Sequence, residues 1–209
     1  ESVQAGVQEL IAALHTEVNR ARESVYAFFN ELASFIKAHG QVANGAPYDQ
    51  SFRITPGVRR QPDWSQIDVV WDNVSLRLRS VIDGLVKLQG ILAKQADTQM
   101  LEYEDLMADL AAQISYLARL RERGTAIISE PVKGEIYWLS VAARGEEIGL
   151  HSAPLHVGGI LAEHLFAQKD CVVLTSATLA SEGSFSYMRE RLGLDDAQEL
   201  LVGSPFDYK

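Results

Sequence analysis

The amino-acid sequence predicts an α/β protein with a large all-α part: an elongated antiparallel helical bundle followed by a partial parallel α/β unit. Two observations predict this fold class. In the first half, apolar residues recur every three or four positions over long stretches, which is the spacing of helices packed on partners. After Gly124 the spacing changes to short apolar runs separated by glycine-containing turns, which is typical of strands. The predicted domains are therefore 1–124 and 125–209.

Three long amphipathic helices make up the predicted bundle. The first covers the opening forty residues and ends at Gly40, the second has Asp63 or Ser65 as its N-cap, and the third ends at Gly124. Their main seam residues, in chain order, are Val3, Val7, Leu10, Leu14, Val18, Ala21, Val25, Phe28, Leu32, Phe35, Ile67, Trp71, Val74, Leu78, Val81, Leu85, Leu88, Leu92, Met100, Tyr103, Met107, Leu110, Ile114 and Leu117.

The connection over 41–62 is rich in glycine and proline and is predicted to be an irregular loop with a short strand in the sequence SFRIT. The cationic and aromatic side chains in and next to this loop are Arg53, Arg59, Arg60, Phe52 and Trp64. Such a mixture can contact phosphates and stack on bases, so the three arginines are candidate DNA-binding residues. The alternative is that they are solvated loop arginines beside one packing tryptophan.

The second predicted domain begins with a β-hairpin, 135–142 and 146–153. A helix over 158–168 leads to the apolar run 171–174, which is typical of a parallel strand covered on both faces. A helix over 184–192, closed by Gly193, and a strand over 198–204 complete a strand–helix–strand unit.

Hydroxyl side chains follow the predicted strand 171–174 directly, at Thr175, Ser176 and Thr178. Ligands of open α/β sheets bind beyond the carboxyl ends of the strands, where hydroxyls can hydrogen-bond a phosphate, a carboxylate or water without adding charge. The alternative is that these hydroxyls only cap the following turn. Cys171, the single cysteine, lies inside the apolar run and is expected to be a small buried hydrophobe.

The run VVLTSATL, with RLGL at 191–194 and GSPFDY at 203–208, resembles the DinG and XPD family of superfamily 2 DNA helicases. A strand containing Trp138, an Ala-Pro pair at 153–154 and the sequence PDWSQIDVVWDNV are also similar to this family. The helical bundle lies where such enzymes carry their arch domain. The resemblance implies an arch-like bundle in 1–124 and the C-terminal part of the first RecA-like motor domain in 125–209.

By this resemblance, Thr175, Ser176 and Thr178 belong to helicase motif III, which links the ATP state to the grip on single-stranded DNA, and they are not nucleophiles. Apart from the resemblance, Ser204 of GSPF is a candidate contact to the DNA backbone, through its hydroxyl or its backbone amide. The implied partner is single-stranded or forked DNA, bound through a parent helicase whose remaining motor domains lie in cis.

The sequence contains neither a phosphate loop nor an Asp-Glu-Ala-His motif, so no cofactor is expected in this chain, and ATP and Mg²⁺ are assigned to the parent. The four-cysteine set of many XPD-like enzymes is also absent, which leaves open whether the parent carries an iron–sulfur cluster. The expected function is therefore that of an excised segment of a DNA helicase of repair or replication, inactive by itself.

Two other functions remain as alternatives. The acidic charge and heptad seams fit a non-enzymatic adaptor, a helical-bundle interaction module, equally well. A hydrolase with Ser176 as nucleophile lacks a suitable order of His and Asp partners.

Composition sets further limits. The net charge of −9 argues against a general nucleic-acid-coating surface but leaves a local contact at the arginines open. No apolar run reaches the roughly 18 residues of a membrane span, so no membrane partner is expected and a cytoplasmic location is predicted. His151, His156, His164 and Cys171 are not spaced like a zinc motif, and no metal site is predicted.

Overall fold

The computed structural model describes residues 2–39, 49–94, 103–142, 147–194 and 196–203. Its helices are α1 (Ser2–His39), α2 (Pro56–Arg59), α3 (Trp64–Ala93), α4 (Tyr103–Ile128), α5 (Gly158–His164) and α6 (Ser186–Leu192), with a 3-10 turn at Phe166–Gln168. Its strands are β1 (Gln50–Ile54), β2 (Glu135–Val141) and β3 (Ile148–Pro154). The chain divides into two compact units, Glu1–Ala153 and Pro154–Lys209.

The helices α1 and α3 of the first unit pack against each other in opposite directions. Near one end, Gly84 of α3 lies against the side chain of Leu14. Further along, the rings of Phe28 and Trp71 meet edge to face, with 5.2 Å between their centroids. Because residue numbers rise along α1 as they fall along α3, the two helices are antiparallel, as their heptad seams predict.

The helices α3 and α4 are antiparallel as well. At the end of α3 the Tyr103 hydroxyl of α4 donates a hydrogen bond to the carbonyl of Leu92, 3.4 Å away. Near the start of α3, the Trp71 indole Nε1 donates to the Thr125 hydroxyl at 3.1 Å. None of the described helices combines the length and the apolar character that a bilayer span requires.

The strands of the first unit form one sheet in the order β1-β2-β3. β1 runs antiparallel to β2, with Gln50 opposite Val141 and Ile54 opposite Tyr137. At the end of the β2–β3 pair, the amide of Ala142 donates to the carbonyl of Glu147 at 3.0 Å. The SFRIT strand and the hairpin are therefore confirmed, while the turn 143–146 lies outside the described residues.

The core of the first unit lies where one face of this sheet packs on the helices. Every second residue of β2 is buried, because side chains alternate between the two faces of a strand. The helices contribute the last half of α1, the first half of α3 and the end of α4. The buried cluster consists of Phe28, Leu32, Phe35, Ile36, Ile54, Trp64, Ile67, Trp71, Val74, Leu78, Ile127, Ile128, Tyr137, Leu139 and Val141.

The predicted end of the third helix at Gly124 is wrong, because α4 continues to Ile128. Gly124 is buried inside the helix, and a Cβ built on it would lie 2.0 Å from Cη2 of Trp71. The glycine therefore allows two helices to approach across an indole ring. It is not a helix stop.

The second unit contains α5, the 3-10 turn and α6. Gly193 follows α6 in the left-handed region, with a φ of 69°, and so ends that helix as predicted. Gly158 of α5 lies against this turn: a Cβ on Gly193 would be 2.4 Å from the Gly158 carbonyl oxygen. The two glycines let the helices meet through their backbones.

The predicted strands 171–174 and 198–204 are not formed within the described residues 154–194 and 196–203. The expectation that Cys171 is buried is wrong, because its side chain is exposed. A strand requires backbone partners on a neighbouring strand, and no strand lies beside 171–174 in the described part of this unit. The RecA-like parallel unit therefore stays a prediction.

The division between the compact units falls after Ala153 and not after residue 124. The cause is the sheet, since β2 pairs with β1 and packs on the bundle. The predicted domains 1–124 and 125–209 concern the organisation of a parent helicase and stay a prediction.

Candidate nucleic-acid interface

The three candidate arginines lie on a short strand–turn–helix segment. β1 ends at Ile54, and the Thr55 hydroxyl accepts a hydrogen bond from the amide of Val58 at 3.2 Å, which caps α2. Pro56 occupies the first turn of α2, where its missing N–H costs nothing. This segment begins with an exposed strand residue, Arg53, and ends at an exposed cap residue, Arg60.

Arg59 contacts three elements of the first unit: the start of α3, the strand β2 and the end of α4. Its guanidinium lies over the rings of Trp64 and Tyr137, 5.7 Å and 5.3 Å from their centroids, and its Nη1 donates to the carbonyl of Ile128. Burial lowers the pKa of Arg59, and nearby Tyr137 and Asp68 oppose that shift. Its guanidinium is thus engaged within the protein, and Arg59 is the least available of the three arginines for a phosphate.

Phe52 and Trp64 do not form the aromatic part of a nucleic-acid surface. Trp64 is only 1% exposed, and its indole Nε1 donates to the Ile128 carbonyl at 3.3 Å. Phe52 packs against the core, edge to face with Phe35 at 6.0 Å. The idea that these two side chains stack on bases is wrong, because both residues lie on the core-facing side of their elements.

Arg53 and Arg60 are exposed. Arg60 donates from its Nε to the carbonyl of Pro56 at 3.1 Å, which closes the last turn of α2. Arg53 lies on the outer face of the sheet, directly opposite Trp138 in the β1–β2 register. Among the described residues Arg53 forms no ion pair, so its charge faces solvent.

A groove of about 360 Å³ runs between β1, α2 and the segment that leads into β2. Its charged lining consists of Arg53, Arg59, Lys133 and Glu135. Three cationic groups against one carboxylate make this groove locally positive in a chain whose net charge is −9. An anionic ligand such as a phosphodiester fits this charge pattern.

Asp68 and Tyr137 are the other titrating groups with resolved shifts near Arg59. Burial raises the pKa of Asp68, while the hydrogen bond that it accepts from Ser129 at 3.2 Å opposes the rise. Burial also raises the pKa of Tyr137, whose hydroxyl accepts from the amide of Val132 at 2.8 Å. Hydrogen bonds with Ser129 and Val132 hold the side chains of Asp68 and Tyr137 in place near Arg59.

The hydroxyl segment of the second unit is exposed, and its hydrogen bonds are local. Ser176 Oγ accepts from the amide of Thr178 at 3.1 Å and lies 3.1 Å from the Thr178 hydroxyl. Thr175, next to it, is exposed too. In the described part of the chain, no carboxylate or imidazole hydrogen-bonds these hydroxyls. This arrangement leaves the hydroxyls able to exchange partners and provides no base for a nucleophile.

The same local pattern occurs a few residues further along. Ser184 Oγ accepts from the amide of Ser186 at 3.2 Å, and the two hydroxyls are 3.0 Å apart. Ser184 precedes α6 and Ser186 is the first residue of that helix, so this hydrogen-bonded pair lies at a helix start. Because Ser184 and Ser186 have the same hydrogen-bond pattern as Ser176 and Thr178, they are a matched control for experiments on Ser176 and Thr178. Ser204 lies outside the described residues.

The aromatic group on the outer face of the sheet was not predicted from the sequence. Trp138 of β2 and His151 of β3 stack with their rings 11° from parallel and their centroids 5.1 Å apart. The signal was present in β2, because a period of two puts Trp138 on the face opposite to Tyr137 and Leu139. The alternation in EIYWLSV predicts this position for Trp138, whereas Phe52 and Trp64 are closer to the loop arginines in sequence and were paired with them.

Comparison with known proteins gives matches to one protein named as an exonuclease and to three proteins named as helicases. The chain is 45% identical over 78 residues to the 3'-5' exonuclease DinG of Bacillus subtilis, which is 35% of this chain and 8% of that protein. It is 35% identical over 77 residues to the ATP-dependent DNA helicase YoaA of Haemophilus influenzae, covering 37% of this chain and 12% of the relative. With the probable ATP-dependent helicase YpvA of B. subtilis it shares 30% identity over 132 residues, 63% of this chain and 20% of the relative.

No protein-family model matches the chain. No solved structure matches it either. The matched stretches span a fifth or less of the relatives' own lengths. Three of the four matched relatives are named as ATP-dependent helicases, one of them as probable, and the fourth is named 3'-5' exonuclease DinG. The chain is similar to a segment of each of these proteins, and the resemblance to DinG-like helicases that its motifs predict is confirmed.

Proposed function

We propose that this chain is one segment of an ATP-dependent DNA helicase that separates forked DNA during repair or replication, in the cytoplasm. The names of two relatives, both called ATP-dependent DNA helicase YoaA, support this activity. The small share of each relative that is matched supports the idea that the remaining motor domains lie in the same polypeptide. The nuclease named for the DinG relative is not proposed here, since the match covers only 8% of that protein.

The observation that carries the proposal is a pair of exposed apolar segments in the second unit, 172–174 and 200–202, which the sequence predicts to be strands. Val173 is 80% exposed and Leu200 is 82% exposed, and both lie in apolar runs. Contiguous exposed apolar side chains mark surfaces that other parts of a protein cover. We assign them to the parallel sheet of a RecA-like motor domain, whose other strands the parent would supply.

Ser176 and Thr178, with Thr175 beside them, would then stand at the end of a sheet strand and act as the coupling segment. The hydroxyls of Ser176 and Thr178 are 3.1 Å apart, within hydrogen-bond distance, and both are exposed. Because neither hydroxyl is charged, a change of hydrogen-bond partner buries no charge and requires little rearrangement. A switch from the local partner to a catalytic carboxylate of the parent would pass the ATP state to the DNA grip.

In this proposal the bundle of α1, α3 and α4 is the arch-like part and guides DNA. The positive groove beside it supports this role, with Arg53 and Arg60 as the exposed phosphate contacts. Arg59 would act mainly by holding the groove in shape, because its guanidinium packs on Trp64 and Tyr137. Ser204 stays a candidate contact to the DNA backbone because its hydroxyl or its amide can donate to a phosphate, and it lies outside the described residues.

Neither the motifs of the sequence nor the described residues supply the elements of an ATP or Mg²⁺ site. The sequence has no phosphate loop, and the described residues contain no group of three or more His, Cys, Asp or Glu side chains suited to a metal ion. Binding of ATP and Mg²⁺ is therefore assigned to other parts of the parent, and no step of ATP chemistry is derived from this chain.

The test is strand separation by the protein encoded by the whole reading frame that contains this segment. We expect it to separate a forked DNA duplex only with ATP and Mg²⁺, and we expect the 209-residue chain alone to hydrolyse no ATP. ATP hydrolysis by the chain alone would contradict the segment assignment. A whole protein that neither hydrolyses ATP nor separates DNA, while its bundle captures a protein partner, would favour the adaptor alternative.

A further inference from the structure

The outer face of the three-stranded sheet carries a row of side chains that the proposed coupling role does not use. Arg53, Trp138 and His151 lie side by side on β1, β2 and β3. Trp138 is the one tryptophan of the chain outside the buried core, since Trp64 and Trp71 belong to the core. Trp138 and His151 are half-buried, and a cation next to a partly accessible stack of two aromatic rings is a combination that binds unpaired bases and their phosphates.

The aromatic pair is held in a fixed arrangement by its neighbours. His151 Nε2 lies 2.7 Å from the hydroxyl of Ser140, which sets the plane of the imidazole against the indole. Gly149 makes room for this hydrogen bond, because a Cβ at that position would lie 2.6 Å from Ser140 Oγ and 2.7 Å from His151 Nε2. A stack ordered in advance loses little freedom when a base is added to it.

Positive charge continues from this row into the adjoining groove. Arg53 belongs to both, and the exposed Lys133 lies further along the groove lining. Neither side chain forms an ion pair within the described ranges, so both cations are free to meet phosphates. The cations lie where the phosphates of a bound single strand would pass, and the aromatic stack lies where its unpaired bases would pack.

We propose that the outer face of the sheet binds single-stranded DNA, with a base stacked on the Trp138–His151 pair and the adjacent phosphates against Arg53 and Lys133. The choice of DNA rests on the proposed helicase function. The site itself rests on the row of side chains and the groove. Because paired bases cannot reach the indole, this face selects single strands over duplex.

The experiment measures binding of the 209-residue chain to a fluorescein-labelled oligothymidine of about 15 nucleotides, by anisotropy at several salt concentrations. We expect Trp138→Leu to weaken binding about ten-fold or more through loss of stacking. Arg53→Gln should weaken it too and reduce the slope of log affinity against log salt by about 0.7, the value for one phosphate contact on a single strand. Arg79→Gln, an exposed arginine of α3 outside this face, is the matched control and should bind like the wild type.

Two further readouts separate stacking from simple charge attraction. The tryptophan fluorescence should fall on addition of the oligonucleotide, and this quenching should disappear in Trp138→Leu. An abasic strand of the same length should bind more weakly than oligothymidine to the wild type and equally to Trp138→Leu. Thermal unfolding of each variant checks that the sheet is intact, and Ser140→Ala, which only loosens the histidine, should give an intermediate loss of affinity.

Equal affinities of the wild type, Trp138→Leu and Arg53→Gln would overturn the site, as would a chain that binds no oligonucleotide at low salt. Loss of affinity for a peptide or protein partner instead of DNA would overturn it in favour of a protein-docking face.

These results are independent of the helicase test. If the whole protein separates strands while Trp138→Leu leaves DNA binding unchanged, the proposed function stands and this site does not. If the site binds DNA but the whole protein shows no ATP-dependent activity, the reverse holds.

Discussion

Gly124 of α4 lies directly against the indole ring of Trp71 on α3. A Cβ at Gly124 would be 2.0 Å from Cη2 and 2.3 Å from Cζ2 of Trp71, far inside van der Waals contact. On the next residue, the Thr125 hydroxyl accepts the indole N–H at 3.1 Å. Two consecutive residues of α4 thus fix one ring of α3, the first by leaving space and the second by satisfying its only polar atom.

Gly124→Ala should destabilise the protein. The added methyl group must displace a buried indole or push two helices apart, and such overpacking costs about 1–3 kcal/mol. Gly90→Ala is the matched control, because Gly90 also lies inside a helix but has nothing within 4 Å of a Cβ. The control should gain roughly 0.5–1 kcal/mol from helix propensity. Urea unfolding measures both, and equal effects at the two positions would contradict the packing account.

Arg59→Ala should lower the free energy of unfolding by about 1–3 kcal/mol, through loss of the contacts with Trp64 and Tyr137 and of the bond to the Ile128 carbonyl. Arg59→Lys should recover only part of this loss, because an ammonium lacks the planar guanidinium that stacks on rings. Arg60→Ala, at the next and exposed position, should change stability by less than about 0.5 kcal/mol. A full recovery by lysine would show that charge alone matters at Arg59.

The pKa of Asp68 is raised by burial above its ordinary value of 3.8, so folding favours its protonated form. Its contribution to stability is therefore fully present below pH 3.8 and is lost as the pH rises through the raised pKa. Asp68→Asn, which stays neutral, should match the wild type at the acid end and become the more stable protein as the pH rises. Unfolding free energies from acid to neutral pH measure the difference.

Ser129→Ala is the companion variant for that series. It removes the hydrogen bond that opposes the rise in the pKa of Asp68, so the loss of stability with rising pH should become larger. Parallel pH curves for the wild type and Asp68→Asn would rule out Asp68 as the source of the dependence.

The helical part of the fold could be predicted from the sequence because helix hydrogen bonds are local and the apolar period survives in any context. Phe28 and Leu32 of α1 and Ile67 and Trp71 of α3 are buried where their seams place them. Gly124 was misread because a glycine that ends a helix and one that admits a neighbouring ring look alike in a sequence. The distinction depends on Trp71, more than fifty residues away.

The sheet and the site were only partly predictable for a related reason. The hairpin forms because its strands are neighbours in sequence, whereas 171–174 depends on partners at a distance and stays exposed here. Arg53 was named from its charge and is exposed as a ligand contact requires. Its aromatic neighbour is Trp138, which lies 85 positions along the chain and meets it only through the β1–β2 register.

In the proposed function, Ser176 and Thr178 couple ATP use to DNA movement. The most direct measurement is the number of DNA strands separated per ATP hydrolysed by the whole protein. The double variant Ser176→Ala with Thr178→Val is compared with Ser184→Ala with Ser186→Ala, which removes the same local hydrogen-bond pattern elsewhere. We expect the first pair to retain ATP hydrolysis and lose most strand separation, and the second to keep both. Strand separation per ATP that is unchanged in the first pair, or lost equally in both pairs, would contradict the claim.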